Sequence, residues 1–229
     1  MEKLYQRAVQ ELELADQVLV SASNGLSIAG GYHIFADNEA FRQYFGKFRE
    51  KYGIHSIIQG VFAPLPQEVH AEFMSQLRKY FVMDYQPTEV MQNLKELLAS
   101  KDYFVVTSNA DTHFQLNGFA EDRLFEVEGN FIDMPEGSAE WKQQSERFNA
   151  FVQRSRDSRL VVLELGIGAR NQLIKAPLME LVDGHLNAFY ITLNLAQEIN
   201  IPAKLADCSL GVAGDIGESF RQMLKARQL

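Results

Sequence analysis

The amino-acid sequence predicts an α/β fold in which a doubly wound, Rossmann-like parallel sheet carries a small inserted helical lobe. Two observations lead to this prediction. Short apolar runs alternate with amphipathic segments of helical periodicity along most of the chain, as they do in β-α-β units. Each apolar run is nearly continuous in hydrophobic residues and ends in polar residues or glycine, which is typical of parallel strands covered by helices on both faces.

The N-terminal part of the chain predicts a helix, a strand and then the lobe. Helical spacing over residues 2–17 leads into the β-branched run Val18 to Val20, which ends in a polar turn. Residues 32–85 are assigned to the helical lobe, with amphipathic helices over Asn38 to Tyr52 and Glu68 to Phe81. One face of the first lobe helix carries an aromatic stripe made of Phe41, Tyr44, Phe45 and Phe48. We interpret this stripe as lobe core, and a tunnel for an acyl or lipoyl chain is the less favoured alternative.

Residues 1–31 and 86–229 are assigned to the Rossmann-like core of a single domain that spans residues 1–229. A helix over Thr88 to Ala99 precedes the second strand, Tyr103 to Thr107, and Leu124 to Val127 is the third. A helix over Ala139 to Arg154 lies in the segment 130–158. The remaining predicted elements are the strands Leu160 to Leu165 and Ala188 to Leu193, and a helix around Asp215 to Arg227.

Composition excludes several classes of function. A chain of 229 residues with 46% hydrophobic residues is able to bury a core, and its net charge of -8 disfavours nucleic acid and anionic membranes. No apolar run approaches the roughly 18 residues of a membrane span, so we expect a cytoplasmic protein without a membrane partner. Cys208 is the only cysteine, which excludes a four-cysteine zinc site, and no metal site is predicted.

The residues just after each strand form the candidate site, because doubly wound sheets bind ligands at the carboxyl ends of their strands. A nucleotide is the expected ligand, since backbone N–H groups at a helix start suit a diphosphate. The first turn is not G-x-G-x-x-G and is equally consistent with a packing role for its glycine. His113 follows the second strand, and a displaced base is the less favoured alternative to a packed or exposed side chain there. Arg170 and Asn171, just after Gly168, are as consistent with contacts to a ribose or phosphate as with solvation. The exits read Ser23-Asn24-Gly25-Leu26-Ser27, Ser108-Asn109-Ala110-Asp111, Glu128-Gly129, Gly166-Ile167-Gly168 and Asn194.

The order and spacing of these exits resemble those of the sirtuins. That family reads G-A-G-x-S in the first turn and Q-N-x-D after the second strand. It has histidine and glycine after the third strand, a glycine-rich fourth exit and asparagine after the fifth, and Gly214-Asp215-Ile216 resembles its last turn. The resemblance covers roughly Ala15 to Leu224. Four segments are most similar to class M, the macrodomain-linked microbial sirtuins: Gly30-Gly31-Tyr32, Phe125 to Gly129, Leu163 to Gly168 and Ile174-Lys175-Ala176-Pro177.

Three departures distinguish this chain from the family pattern. Ser23 and Asn24 stand where the first turn has glycine and alanine, which narrows the room for a diphosphate. Residues 130–158 hold a helix with Trp141 where the family has its four-cysteine zinc module. Glu128 stands where the family has its catalytic histidine and class M has glutamine. Ordinary lysine deacetylation is therefore not the expected reaction.

The resemblance implies NAD as the cofactor and assigns a role to each exit. Asn109 would hold a water or a ribose hydroxyl, and Asp111 would hold the nicotinamide carboxamide. Glu128 would act as a base toward the incoming nucleophile or as an electrostatic partner of the developing cation. The alternatives are a solvated Glu128 and Asx turns at the other two residues. The implied NAD-binding residues are Ser23, Asn24, Gly25, Ser27, Tyr32, Ser108, Gly166, Gly168, Asn194, Asp215 and Ile216.

The function that this resemblance favours is an NAD-dependent protein ADP-ribosyltransferase. Class M implies a lipoylated carrier protein as the acceptor and a macrodomain protein that removes the modification. A second hypothesis is a sirtuin-like module that binds NAD or ADP-ribose without turnover, and a residual protein deacylase is a further alternative. A Rossmann-type oxidoreductase ranks last, because it requires a full G-x-G-x-x-G and an acidic residue about 20 positions later.

Overall fold

The fold is built on a six-stranded parallel sheet, seen in a computed structural model that describes residues 2–228. The strands are β1 (Gln17–Ala22), β2 (Asp102–Thr107), β3 (Leu124–Glu126), β4 (Leu160–Leu165), β5 (Ala188–Asn194) and β6 (Ser209–Ala213). Their order in the sheet is β3-β2-β1-β4-β5-β6, and all neighbours pair in parallel. Strands β2 and β3 are added on one side of β1 and strands β4 to β6 on the other, so the strand order reverses between β1 and β4, where open α/β sheets bind their ligands. The predicted doubly wound α/β fold is confirmed.

Helices cover both faces of this sheet. The helices of the described residues are α1 (Glu2–Leu14), α2 (Asn24–Ala29), α3 (Glu39–Tyr52), α4 (Ile57–Phe62), α5 (Gln67–Arg78), α6 (Glu89–Leu97), α7 (His113–Leu116), α8 (Ala139–Arg154), α9 (Gln172–Asp183) and α10 (Ile216–Arg227). Helices α1, α6 and α10 pack on one face, and α8 and α9 pack on the other. Alternate residues of β1 enter the two cores, with Val18 and Val20 in one and Leu19 in the other. Strand β1 therefore contributes apolar side chains to both cores.

Residues between α2 and α6 have a hydrophobic core of their own. Phe41, Phe45 and Phe48 of α3 are fully buried against Phe73 of α5 and its neighbours. Tyr44 is only partly buried, and its hydroxyl donates to an Asp84 carboxylate oxygen at 2.8 Å. Since an aromatic side chain buries a large apolar area, this cluster alone is able to hold the three lobe helices together.

The structure contains elements that periodicity did not predict. Helix α9 was missed because its apolar residues are interrupted by Pro177 and no side-chain cap bond marks its start. Strand β6 is a partly exposed edge strand with Gly211 at its centre, so its apolar signal is weak. Strand β3 ends at Glu126, one residue earlier than predicted. Among residues 2–228, none of the helices has the length and apolarity needed to cross a bilayer.

Candidate functional site

Two glycines bring the exits of β1 and β4 into direct backbone contact. The Gly25 N–H donates to the Gly166 carbonyl at 3.0 Å. A Cβ atom on Gly25 would lie 2.5 Å from the Gly166 Cα, and Gly166 has a φ of +63°, which favours glycine. A larger residue at either position would separate the two exits. Glycine is therefore required at both positions, because the backbones of the β1 and β4 exits touch there.

A cavity of about 500 Å³ opens beside this contact, and we call it the strand-exit cavity. Its wall also carries the apolar residues Ile28, Phe35 and Leu195 and the charged residues Arg170 and Glu198. A volume of this size is typical of small-molecule sites. Eight of the residues that the resemblance assigned to NAD line it: Ser23, Asn24, Gly25, Gly166, Gly168, Asn194, Asp215 and Ile216.

Hydrogen bonds between side chains hold the wall of the strand-exit cavity in place. The Ser108 hydroxyl donates to Ser23 Oγ at 3.0 Å, and Asn171 Nδ2 lies 3.2 Å from Ser108 Oγ and 3.4 Å from Ser23 Oγ. Asn194 Nδ2 donates to the Ile167 carbonyl at 2.8 Å. Ser108 thus supports the cavity from behind rather than lining it, and Asn194 fixes the turn that follows β4.

A buried ion pair lies beneath the same turn. Lys175 Nζ of α9 is 2.8 Å from Glu164 Oε1 of β4, and both side chains are almost fully buried. The Tyr190 hydroxyl donates to Glu164 Oε2 at 2.5 Å, and Thr192 Oγ1 donates to Glu164 Oε1 at 2.9 Å. Burial, reinforced by the Glu164 carboxylate, raises the pKa of Tyr190. The network ties β4, β5 and α9 together below the Gly166 to Gly168 turn.

A second, much smaller site lies on the β2 side of β1, and we call it the Asn109 pocket. Asn109 Nδ2 donates to the Ser23 carbonyl at 3.1 Å and to Ser27 Oγ at 3.0 Å. The Ser27 hydroxyl donates to Asp111 Oδ2 at 2.5 Å, and the His113 N–H donates to Asp111 Oδ1 at 3.1 Å. The structure therefore brings the predicted residues Asn109, Asp111 and Ser27 into one buried network.

Aromatic rings close the Asn109 pocket around His113. The His113 ring stacks on Tyr85 with centroids 4.2 Å apart and meets the edge of Tyr32 at 4.5 Å. The remaining space is about 10 Å³, room for about one water molecule. Burial lowers the pKa of His113, although the Asp111 carboxylate and the Phe81 backbone partly oppose it. The ring is therefore neutral at neutral pH.

Two buried polar atoms of the Asn109 pocket have no hydrogen-bond partner among the described residues: Asn109 Oδ1 and His113 Nε2. The orientation of the Asn109 amide is fixed, because its Nδ2 faces a carbonyl oxygen that only accepts. His113 Nδ1 lies 3.4 Å from Asp111 Oδ2. Because the Asn109 amide is oriented in this way, Asn109 Oδ1 is an acceptor, and a ligand with an N–H or O–H donor matches it.

Glu128 lies apart from both sites. It is exposed, and it is not among the residues that line the strand-exit cavity or the Asn109 pocket. Partial desolvation of the carboxyl group and the nearby Glu136 raise the pKa of Glu128. The buried carboxylate at the end of β3 is instead Glu126, which sequence reasoning missed. The sequence offered one indication of this burial. Glu126 lies inside the apolar run of β3, whose residues alternate between two covered faces of the sheet.

Other lining residues were underweighted or missed in the sequence. Arg170 and Asn171 line the strand-exit cavity, and His113 lies in the centre of the Asn109 pocket. Phe35 and Glu198 carried no local motif, because the lobe loop and the turn after β5 bring them to the cavity only in the folded chain. Within residues 2–228, no group of three or more His, Cys, Asp or Glu side chains is arranged to hold a metal ion.

Comparison with known proteins supports the family resemblance at the level of the fold. No known protein-family profile matches the chain. A protein ADP-ribosyltransferase of Staphylococcus aureus (strain Mu50 / ATCC 700699) is 22% identical over 272 residues, covering 93% of this chain and 85% of that protein.

Solved structures of Sir2 enzymes superpose on the whole chain. One Sir2 enzyme has a TM-score of 0.58 at 14% identity, covering 100% of this chain and 99% of that one. A mutant Sir2 homologue in complex with ADP-ribose has a TM-score of 0.58 at 14% identity, covering 97% and 98% of the two chains. The chain therefore has the fold of the Sir2 enzymes.

Proposed function

We propose that this protein cleaves nicotinamide from NAD and transfers the ADP-ribose group to a protein acceptor. The fold, shared with a Sir2 homologue that binds ADP-ribose, supports an NAD-related ligand in the strand-exit cavity. The similarity to a bacterial protein ADP-ribosyltransferase supports transfer to a protein. A protein acceptor is part of this proposal, with the lipoylated carrier implied by class M as the first candidate.

The observation that carries the proposal is the unpartnered acceptor Asn109 Oδ1 beside the strand-exit cavity. An unpartnered buried acceptor costs about 1–3 kcal/mol, so its presence points to a ligand that supplies a donor. The nicotinamide riboside end of NAD offers such donors in its carboxamide NH₂ group and its ribose hydroxyls. Asn109 Oδ1 is the matching acceptor, and His113 lies in the same pocket.

The residues of the Asn109 pocket would divide the work on bound NAD. NAD supplies the bond between nicotinamide and ribose, whose cleavage develops positive charge on the ribose. Asp111 orients His113 and, as a buried carboxylate, favours positive charge nearby. Asn109 would hold a ribose hydroxyl or the attacking water, and Ser27 keeps the Asn109 amide and the Asp111 carboxylate in register.

The pocket has to widen before nicotinamide enters it. The present space of about 10 Å³ holds no aromatic ring, and Tyr32 and Tyr85 occupy the room around His113. Tyr32 follows Gly30 and Gly31, and no atom lies within 4 Å of the Cβ position of Gly31. The closed pocket also favours a second candidate function, a module that binds ADP-ribose in the strand-exit cavity without turnover.

Glu128 would serve as a general base toward the nucleophile that attacks the ribose. Its raised pKa makes its carboxylate a stronger base than an ordinary glutamate. Its exposure leaves it accessible to an acceptor that approaches from solution. Because Glu128 lies outside both sites in the present arrangement, this role also requires the acceptor to dock beside β3.

Calorimetric titration with ADP-ribose and with NAD, followed by an assay of free nicotinamide on the same sample, tests the proposal. We expect both ligands to bind and nicotinamide to appear. Asn109→Ala should lower nicotinamide release about 100-fold or more, because a positioned polar group in the reaction centre is lost. ADP-ribose affinity should stay within about threefold, and Asn149→Ala, an exposed position on α8, should leave both readouts unchanged.

Two outcomes separate the transferase from the binding module, and a third tests the role of Glu128. Binding of ADP-ribose and NAD without nicotinamide release would establish the binding module and reject turnover. Failure of both ligands to bind at millimolar concentration would reject both functions. If Glu128→Gln transfers ADP-ribose to the lipoylated carrier protein as fast as the wild type, rather than about 100-fold more slowly, the base role of Glu128 is wrong.

A further inference from the structure

A large polar groove lies on the far side of α7 from the Asn109 pocket. It has a volume of about 890 Å³ and runs between the end of the lobe, the segment after β3 and α8. Arg78 and Val82 border it from the lobe, and Gln144 and Arg147 border it from α8. We call it the lobe groove. None of the residues predicted from the sequence as part of the NAD site lines it.

The lobe groove contains a carboxylate that is buried and held in a fixed position. Glu126 is 1% exposed, and its Oε2 accepts from Gln115 Nε2 at 3.0 Å and from Asn130 Nδ2 at 3.1 Å. The Glu126 N–H donates to Gln144 Oε1 at 2.8 Å. A buried carboxylate costs free energy unless a positive charge or several donors compensate it. Here two neutral amides provide the donors, and no ion pair among the described residues involves Glu126.

Two further polar atoms of the groove have unmet hydrogen bonds among the described residues. Gln115 Oε1 is buried without a donor, and its orientation is fixed because Nε2 must face the Glu126 carboxylate. Arg147 Nε is buried without an acceptor. A peptide backbone offers one N–H and one C=O per residue, which is the combination that these two atoms lack.

The charge of the lobe groove favours a cationic partner. Five carboxylates and two guanidinium groups line it, an excess of three negative charges. Such an excess attracts basic segments and repels acidic ones over distances of about 10 Å. The carboxylates belong to Glu121, Asp122, Glu126, Asp133 and Glu140, and the guanidinium groups belong to Arg78 and Arg147.

The lobe groove and the Asn109 pocket share one segment of chain. Thr112 lines the groove and follows Asp111 directly, with a φ of +59°, the only positive φ of a non-glycine residue among residues 2–228. The Phe131 N–H donates to the Ala110 carbonyl at 3.0 Å, which ties the groove wall to the loop of Asn109. The Asp111 charge also contributes to the raised pKa of Glu126, after burial. A partner in the groove would therefore lie close to the reaction site.

We propose that the lobe groove is the docking site for a basic segment of the protein acceptor, with a lysine or arginine side chain reaching Glu126. Gln115 and Arg147 would bind the backbone of that segment, and Asp122 and Asp133 would attract it at the rim. The identification of the partner as the acceptor rests on the proposed function. The binding of a basic peptide does not, and the two are measured separately.

Binding of two labelled peptides, measured by fluorescence anisotropy at pH 8 without NAD, tests the groove. One peptide has four Gly-Lys repeats, and the other has four Gly-Glu repeats. We expect the lysine peptide to bind the full-length protein more tightly. Reversal of two exposed rim charges in the double variant Asp122→Lys/Asp133→Lys should weaken its binding about tenfold or more. Glu126→Gln should weaken it as well. The control is Glu50→Lys/Glu68→Lys, which changes the net charge equally at exposed lobe positions outside the groove.

The outcomes decide the groove and the reaction independently. Equal loss of binding in the rim and control variants would show that only net charge matters and would overturn the proposal. Equal binding of the lysine and glutamate peptides would overturn it too. Nicotinamide release by Asp122→Lys/Asp133→Lys, with water as the nucleophile, should match the wild type. Absence of release in the wild type would reject the proposed function while leaving the peptide result to decide the docking site.

Discussion

The two sides of the β1 exit differ in how much of the site is preformed. On the β4 side, glycine-rich turns leave a cavity of about 500 Å³. On the β2 side, the side chains of Asn109 and Asp111 bond to Ser27, aromatic rings pack around His113, and about 10 Å³ remains. The same strand thus ends beside an open site and a closed one.

This difference has a physical cause that bears on function. Glycine has no Cβ, so the glycine-rich turns approach each other closely and leave the cavity beside them open without any ligand. On the closed side most polar side chains bond to one another, Asn109 Oδ1 stays unpartnered, and aromatic rings fill the remaining volume. We therefore expect the open side to bind ADP-ribose without rearrangement and the closed side to control what happens to nicotinamide.

The largest expected effect is a loss of unfolding free energy when the buried ion pair beneath the strand-exit cavity is broken. Lys175→Met leaves the Glu164 carboxylate buried with only Tyr190 and Thr192 as partners, which should cost about 3–5 kcal/mol of unfolding free energy. Urea denaturation measures this loss. The double variant Glu164→Gln/Lys175→Met should recover more than half of it, because no unpaired charge remains. A loss below about 1 kcal/mol in the single variant would show that the ion pair does not support the fold.

A smaller effect is expected from breaking the backbone contact that keeps the open side open. Gly25→Ala places a Cβ atom 2.5 Å from the Gly166 Cα, which should cost about 3 kcal/mol and weaken ADP-ribose binding at least about tenfold. Thermal unfolding and calorimetry measure the two effects. Gly46→Ala in α3 is the matched control, since nothing lies within 4 Å of its Cβ position, and it should stabilise the protein by about 0.5–1 kcal/mol. Unchanged ADP-ribose affinity in Gly25→Ala would show that the contact is not needed for an open cavity.

The smallest effect concerns the closed side and depends on pH. Burial lowers the pKa of His113 in the folded protein, so the unfolded chain binds a proton more readily as pH falls below about 6.5. The wild type should therefore lose stability between pH 7 and pH 5, by up to about 1.4 kcal/mol per pH unit from this group. His113→Gln lacks this titrating ring, so the difference in unfolding free energy between the wild type and the variant should shrink as pH falls. A difference that stays constant over this range would show that His113 protonates equally in both states.

Much of the fold follows from the sequence because local patterns reflect it directly. The runs that became β1, β2, β4 and β5 are mostly apolar, since helices cover both faces of the sheet. The caps at Asn38, Ser138 and Asp215 bond to the third residue of their helices and mark where each one begins. The edge strand β6 and the proline-containing α9 gave weak signals, because each departs from the average pattern of its class.

The site could be predicted only in part. The strand-exit residues were found because parallel strands place their carboxyl ends at one edge of the sheet. Glu126 and Arg147 of the lobe groove were not found, since nothing local distinguishes a buried carboxylate in β3 or an arginine with an unmet hydrogen bond in α8. Their significance depends on residues that meet only after the lobe and α8 have packed.

The sequence by itself determined the doubly wound sheet, the inserted lobe helices and the glycines at the switch point, because hydrophobic periodicity and turn chemistry are local properties of the chain. The tertiary structure alone decided which polar residues meet. It placed His113 against Asp111 and between aromatic rings of the lobe, and it left Glu128 exposed while burying Glu126. Burial and hydrogen bonding between distant segments set these outcomes, and neither is encoded in the spacing of residues along one strand or helix.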